Sequence, residues 1–214
     1  MFITFEGIEG CGKSTQSRRL YNRLKEAGHE VVLSREPGGC ELGQKVRAIV
    51  LNPSLQIGQH AELFLYLAAR AQHVEELIEP SLERHRTVIV DRFNDSTLAY
   101  QGYGRGFPRE LLFRLCHFAS KGIWPDVTLL LDLPVEEALA RARERNKREG
   151  IEDKEGRFEG ESLSFHRQVR MGYLDIARRY PERVVVIDAR GDVEEVGEII
   201  WQEICKRLAH GCNG

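Results

Sequence analysis

This sequence of 214 residues contains no stretch that is both long and apolar. No run approaches the roughly 20 apolar residues a bilayer-crossing helix needs, so no membrane segment is expected. Charge of one sign is not in excess either. Thirty-one Lys and Arg face 33 Asp and Glu, a net charge of −2, which offers no general attraction to nucleic acid or to an anionic membrane surface. Cysteine is scarce and scattered: Cys11, Cys40, Cys116, Cys205 and Cys212 are odd in number and lack metal-ligand spacing. They read as free thiols of a reducing compartment. The seven histidines are equally dispersed, so no metal cluster is written here. There is no internal repeat, no low-complexity tract and no interior linker. Met1 runs straight into an apolar stretch, so no secretory leader is expected and a cytoplasmic location follows. With 42% hydrophobic and 30% charged residues, the chain reads as one soluble α/β domain, 1–214, with a sizeable core.

What the sequence does contain begins almost at its first residue. Phe2, Ile3 and Phe5 form an apolar run suited to a buried strand, and Gly7-Ile8-Glu9-Gly10-Cys11-Gly12-Lys13-Ser14 then satisfies G-x-x-x-x-G-K-[ST]. Glycines at these positions let successive backbone N–H groups curl around a phosphate. Lys13 reaches the β- and γ-phosphates, the Ser14 hydroxyl can ligate Mg²⁺, and the following helix presents its positive end to the anion. A glycine-rich turn with an accidental Lys-Ser is the bland reading. The strand before and the helix after argue against it, so this loop is expected to bind a nucleoside triphosphate.

Strands and helices alternate from there on. Helices are expected over 13–27, 41–51, 59–83, 111–121, 135–148, 161–180 and 193–208, with Pro80 kinking the long third one or opening a new turn. Strands are expected over 30–34, 87–91, 127–132 and 183–188, apolar enough for a parallel sheet covered on both faces. The fold class is therefore a three-layer P-loop α/β fold: a five-stranded parallel sheet, right-handed crossovers and flanking helices. The polar, glycine-containing segment 146–160 reads as mobile surface, part of a short lid over about 142–160.

In such a sheet, ligands sit beyond the carboxyl ends of the strands. The loops of unusual chemistry fall there: 7–14, 35–40, 91–96 and 188–191. Asp91, ending an apolar strand, suits a Walker B carboxylate that holds Mg²⁺ through water or Ser14, and Arg92 offers a fork for phosphate. A surface ion pair between neighbours is the alternative. Arg141, Arg145 and Arg148 share one helix face and Arg143 and Arg157 lie close by. Many of these belong to a solvated face balanced by glutamates. Yet the P-loop carries no basic residue besides Lys13, and phosphoryl transfer spreads negative charge that a lid arginine could meet while excluding water. Tyr66 and Arg70, four apart, could stack on a base and bond its carbonyl, although a core ring beside a surface arginine is the commoner arrangement.

With these residues placed, the chain resembles bacterial thymidylate kinases over nearly its whole length. The resemblance rests on FITFEGIEGCGKST from Phe2, REPGG from Arg35, AELFLYLAARAQH from Ala61, DRFNDSTLAYQGYGRG from Asp91, PDVTLLLDLP from Pro125, RFEGES from Arg157 and VIDARGDVEEV from Val186. It implies transfer of the γ-phosphoryl of ATP to dTMP, with Mg²⁺, by a homodimer. By the same resemblance, Gly7, Ile8, Glu9, Gly10, Cys11, Gly12, Lys13, Ser14 and Thr15 hold the ATP phosphates, and Ala189 and Arg190 flank adenine. Glu9 matches the acidic residue that meets the acceptor sugar's 3′-hydroxyl. Pro37 falls in the acceptor loop, Arg47 and Arg92 match contacts to the dTMP phosphate, Tyr66 the ring stacked on thymine and Arg70 its carbonyl partner. Ser96, Thr97 and Gln101 approach the base, and Tyr100 crowds the 2′ position. Arg157, with Arg143 or Arg145, matches lid arginines. Three residues depart from the pattern: Cys40 for Thr, Phe93 for Tyr and Tyr66 for Phe.

The rival readings are another nucleoside or nucleotide kinase of this fold, a P-loop GTPase module and a nucleic-acid translocase. The GTPase would need N-K-x-D after a strand, and Asn146-Lys147-Arg148-Glu149 lacks the Asp. The translocase would need a strongly basic track. Because the acceptor phosphate oxygen is already anionic, no side-chain base is required; positioning and electrostatics suffice.

Overall fold

The β-branched and leucine-rich runs form five strands: β1 Phe2–Glu6, β2 Val31–Arg35, β3 Thr87–Asp91, β4 Val127–Asp132 and β5 Val184–Asp188. The computed structural model describes residues 1–150 and 156–211. All strand pairs are parallel, in the order β2-β3-β1-β4-β5. Residues of β1 alternate between two buried faces. Ile3 and Phe5 join the larger core with Leu129 and Ile89, while Phe2 packs with Val88, Val90 and Phe93 on the other side. Burial on both faces explains why these strands read as continuous apolar runs. The register sets Asp91 beside both Phe5 and Arg35, so the loops after β1, β2 and β3 open at one edge of the sheet.

Helices α1 Lys13–Glu26, α2 Glu41–Val50, α3 Gln59–His73, α4 Glu79–Glu83, α5 Asn94–Thr97, α6 Arg109–Ala119, α7 Val135–Glu149, α8 Leu163–Arg179 and α9 Val193–Gly211 cover the sheet. The long pattern 59–83 is one helical run interrupted by a π-helical turn, Val74–Ile78. Pro80 falls in the first turn of α4, directly after that π-helical turn.

Two expectations need correcting. The loop expected over 91–96 is helical from Asn94, and α5 continues into a π-helical stretch, Leu98–Gly104, for which the sequence predicts no element. Its glycines are there for packing: a Cβ on Gly104 would stand 2.6 Å from the Phe165 ring. Close approach of α8 overrides the low helix propensity of glycine. The segment 146–160 is not solvated throughout either. Residues 146–149 complete α7, and Asn146, Phe158 and Glu159 are buried. Residues 151–155 of the expected lid lie outside the described residues.

Candidate active site

The helix that follows the P-loop starts without a side-chain cap. Gly12 holds φ at 98° at the N-cap of α1 and no side chain bonds the first-turn N–H groups. A glycine tolerates that conformation, and N–H groups so exposed are suited to an anion. Lys13 folds over the loop, its Nζ donating to the carbonyls of Gly7 at 3.0 Å and Ile8 at 2.8 Å. Ser14 Oγ donates to Asp91 Oδ2 at 2.5 Å, which joins the P-loop to the end of β3. Gly10 explains the loop's lack of a second cation: a Cβ there would stand 1.8 Å from the Ala138 carbonyl oxygen. Helix α7 approaches too closely for any side chain, and the same helix carries Arg145 to the cleft.

A cleft of about 930 Å³, counting its open mouth, runs from the P-loop to α3. Its wall at the P-loop end includes Glu9, Gly10, Lys13, Ser14, Asp91 and Arg145. Arg92 and Tyr100 reach Glu9 from the facing wall, and Pro37, Arg47, Tyr66, Arg70, Ser96, Thr97 and Gln101 complete the lining. Residues drawn from four separate segments of the sequence thus share one wall, as the resemblance requires for an acceptor site.

Arg92 is the hinge of this wall. It adopts φ 73°, a left-handed conformation rare outside glycine, immediately after β3. Its guanidinium donates to Glu9 Oε1 (3.0 Å), Tyr100 Oη (3.1 Å), Ser96 Oγ (3.2 Å) and Tyr173 Oη (3.1 Å). Strain at a functional residue persists only when its surroundings over-determine it, and four acceptors do so here. Burial pushes the Glu9 carboxyl up, but the charges of Arg92 and Lys13 more than offset this and hold it below the ordinary range. Glu9 Oε2 faces the buried His166 Nδ1 at 3.6 Å.

Three residues away, Glu6 has the opposite electrostatics. It accepts from Phe93 N–H at 2.7 Å, Ser96 Oγ at 2.6 Å and Tyr173 Oη at 2.9 Å. Burial, then the nearby Asp95, raise its pKa to about 7. Behind the base end, Arg70 is 2% exposed and donates to Glu36 Oε2 (2.8 Å), Thr97 Oγ1 (2.9 Å) and the Phe93 carbonyl (3.0 Å). Glu36 is tied in turn to His73 Nδ1 at 2.9 Å. Arg70 is thus a buried, oriented fork on the cleft wall, not the surface arginine its helix position alone would predict.

Several expected residues stand elsewhere. Arg143 is exposed and lies off the cleft wall. Arg157 points to Glu62 and the Val50 carbonyl. Arg190 pairs with Asp188 on the surface, while the buried Ala189 receives Arg141 on its carbonyl at 3.4 Å. Gly7, Ile8, Cys11 and Gly12 form the loop itself, and Thr15 is exposed on the first turn of α1. Burial pushes the Cys11 thiol up, so it is not a poised thiolate despite Lys13 at 3.6 Å. Cys40 does what a threonine would: its Sγ caps α2 by accepting from Gly43 N–H at 3.3 Å. Tyr66 lies half-buried on the wall, its ring 6.5 Å from that of Phe158.

Sequence reasoning missed Glu6, Phe158, Glu159, His166 and Tyr173. Glu6 alone left a signal, a charged residue closing an apolar strand beside the P-loop. The others sit in helices or turns whose neighbours the sequence does not reveal.

The family profile for thymidylate kinase matches residues 5–200. A thymidylate kinase of Desulfosudis oleivorans is 53% identical over 197 residues, 92% of each chain. One of Syntrophotalea carbinolica is 50% identical over 201 residues, 94% of this chain and 93% of the relative. The crystal structure of thymidylate kinase from Ehrlichia chaffeensis superposes with a TM-score of 0.75 at 33% identity, covering 95% of this chain and 98% of the other. Motifs, sheet order, cleft and relatives agree: the chain belongs to the thymidylate kinase family.

Proposed function

We propose that this protein transfers the γ-phosphoryl group of ATP to dTMP, giving ADP and dTDP. The observation that carries this reading is a single cleft joining a P-loop to a second, arginine-bearing wall. Lys13 and Ser14 line it together with Arg92, Tyr66 and Arg70, and Arg92 meets the P-loop at Glu9. ATP enters with its phosphates on residues 7–15 and its adenine toward Ala189 and Arg190. dTMP lies with its phosphate toward Arg92 and Arg47, its sugar between Glu9 and Tyr100, and its base among Tyr66, Arg70, Thr97 and Gln101. In this reading the Tyr100 ring, held to Glu9 by a 2.6 Å hydrogen bond, disfavours a 2′-hydroxyl.

In this reading Lys13 and Arg92, both on the cleft wall, meet the reacting phosphates, and Arg145 on α7, also on that wall, supplies the lid cation. Each is a fixed charge where negative charge spreads in the transition state, which is what phosphoryl transfer requires of a protein. Ser14 Oγ and Asp91 Oδ2 are hard oxygen donors, adjacent and beside the P-loop, a set that fits Mg²⁺ shared with ATP phosphates. When bound there, Mg²⁺ would neutralise phosphate charge.

A homodimer is what the resemblance implies, and Phe64 on α3 and Phe118 on α6, the latter 86% exposed, are large apolar side chains at the surface. No helix among the described residues is long and apolar enough to cross a membrane. The buried free thiols Cys11, Cys40 and Cys116 support a reducing, cytoplasmic setting. Family membership disfavours the GTPase and translocase readings. A coupled ADP-release assay over dTMP, dUMP, dCMP, dGMP and dAMP tests the rest: turnover fastest with dTMP is expected, and none with dTMP overturns the reading.

A further inference from the structure

One wall of the cleft is held from behind by a carboxylate that does not line it. Glu62, on α3, is fully buried. Its Oε1 accepts from Gln101 Nε2 at 3.0 Å and Arg105 Nε at 3.2 Å, and its Oε2 from Arg105 Nη2 at 3.2 Å and Arg157 Nη2 at 2.6 Å. Arg105 extends to Glu161 Oε1 at 2.6 Å, and Arg157 to the Val50 carbonyl at 3.0 Å. Both guanidiniums lie against Phe158, 5.9 Å and 5.3 Å from its ring, which meets Tyr100 edge-on at 5.5 Å. Two arginines thus balance Glu62 and Glu161 across three elements.

Such a cluster is weak as a source of stability, because desolvation offsets most of the attraction; what it can supply is a fixed geometry. It fixes two things. A carboxylate only accepts, so Gln101 must turn its Nε2 to Glu62, leaving Oε1 to accept from an N–H of a base. The other carboxylate oxygen holds Arg157, and with it Phe158 and Glu159, which line the cleft.

We propose that Glu62 is a positioning residue that couples occupancy of the base end of the cleft, at Gln101, to the placement of residues 156–161. The proposal rests on the acceptor reading above only in taking dTMP as the occupant. Arg157 is then an anchor of this segment, and Glu62 transmits the acceptor's presence to it.

Hydrogen–deuterium exchange with and without saturating dTMP tests this in the wild type and in Glu62→Gln, which keeps shape and removes charge. In the wild type, dTMP is expected to slow exchange of the 156–161 amides about tenfold, within the roughly 5–150-fold span of ordinary coupling between sites. In Glu62→Gln at equal dTMP occupancy the slowing should fall below about twofold, with the β1 and β3 amides unchanged. Equal protection in the two proteins overturns the coupling. If Glu62→Gln does not fold, Arg157→Gln cuts the same chain of contacts at its other end, with the same expected and overturning outcomes. A wild type that fails to bind dTMP in calorimetry overturns the acceptor reading itself, a result distinguishable from loss of coupling alone.

Discussion

The two ends of the cleft are built on different principles. The P-loop end is made mostly of backbone from one continuous segment, 7–15, and its only long charged side chain from that loop to face phosphate is Lys13. The acceptor end is made of side chains brought together across the chain, such as Arg92 to Tyr173, 81 positions apart, and Arg70 to Glu36, 34 apart. A backbone cradle binds any polyphosphate, because every residue type offers the same N–H. Side chains locked by buried ion pairs and hydrogen bonds can discriminate one base and sugar from another. Glu9 and Glu6 condense the contrast. Separated by three residues, one carboxyl is lowered by Arg92 and Lys13, the other raised to about 7 by burial and Asp95.

Substitutions can break this comparison at either end. Lys13→Met removes the charge that the cradle cannot replace, and kcat should fall about 10³-fold with the fold intact by circular dichroism. A loss below tenfold would falsify the assignment of the P-loop end. Arg92→Gln should raise the KM for dTMP and lower kcat together, kcat/KM dropping about 10²-fold, since one guanidinium both meets substrate and orders Glu9 and Tyr100. Near-normal kinetics would refute its role.

The lid arginines sharpen the boundary between the ends. Arg145→Ala should lower kcat about tenfold or more, whereas Arg143→Ala, an exposed position, should change it less than about twofold. The opposite ranking in steady-state assays would move the lid cation to Arg143.

The smallest effect is on stability. Folded Glu6 keeps its proton up to about pH 7, whereas the unfolded chain releases it near the ordinary 4.5. Between these values the folded state binds more protons, so this group's contribution to stability is fully present at low pH and falls as pH rises through the window. Glu6→Gln should flatten that fall, on the order of 2 kcal/mol, in urea midpoints followed from about pH 4 to pH 8. An unchanged profile would assign the titration to another group.

How much was legible follows from how local each signal is. Strands 87–91 and 127–132 were plain because burial on both faces demands uninterrupted apolar residues. The P-loop was plain because its backbone geometry requires glycine at stated positions. A helix over 94–104 was not: two glycines and two tyrosines in a short stretch carry no helical pattern, and the account comes from Phe165 and Val169 of α8, which fill the space beside Gly104. The buried end of the lid was hidden for a similar reason. RFEGES looks like solvated surface, yet Arg157 and Glu161 are neutralised by Glu62 and Arg105 from elsewhere in the chain.

The Gly7–Ser14 loop therefore stands where its reading placed it, with a sharper account of Gly10. The missing cation there follows from the contact of α7 with the loop, at a point where no Cβ fits. By itself the sequence determined the sheet, the phosphate loop and the family, because each depends on residue types at short, fixed spacing. Only the tertiary structure decided which arginine faces the cleft, why Arg70 is buried and how Glu62 joins two walls. Those depend on which charges lose their water together, and that is set by packing between segments far apart in the chain.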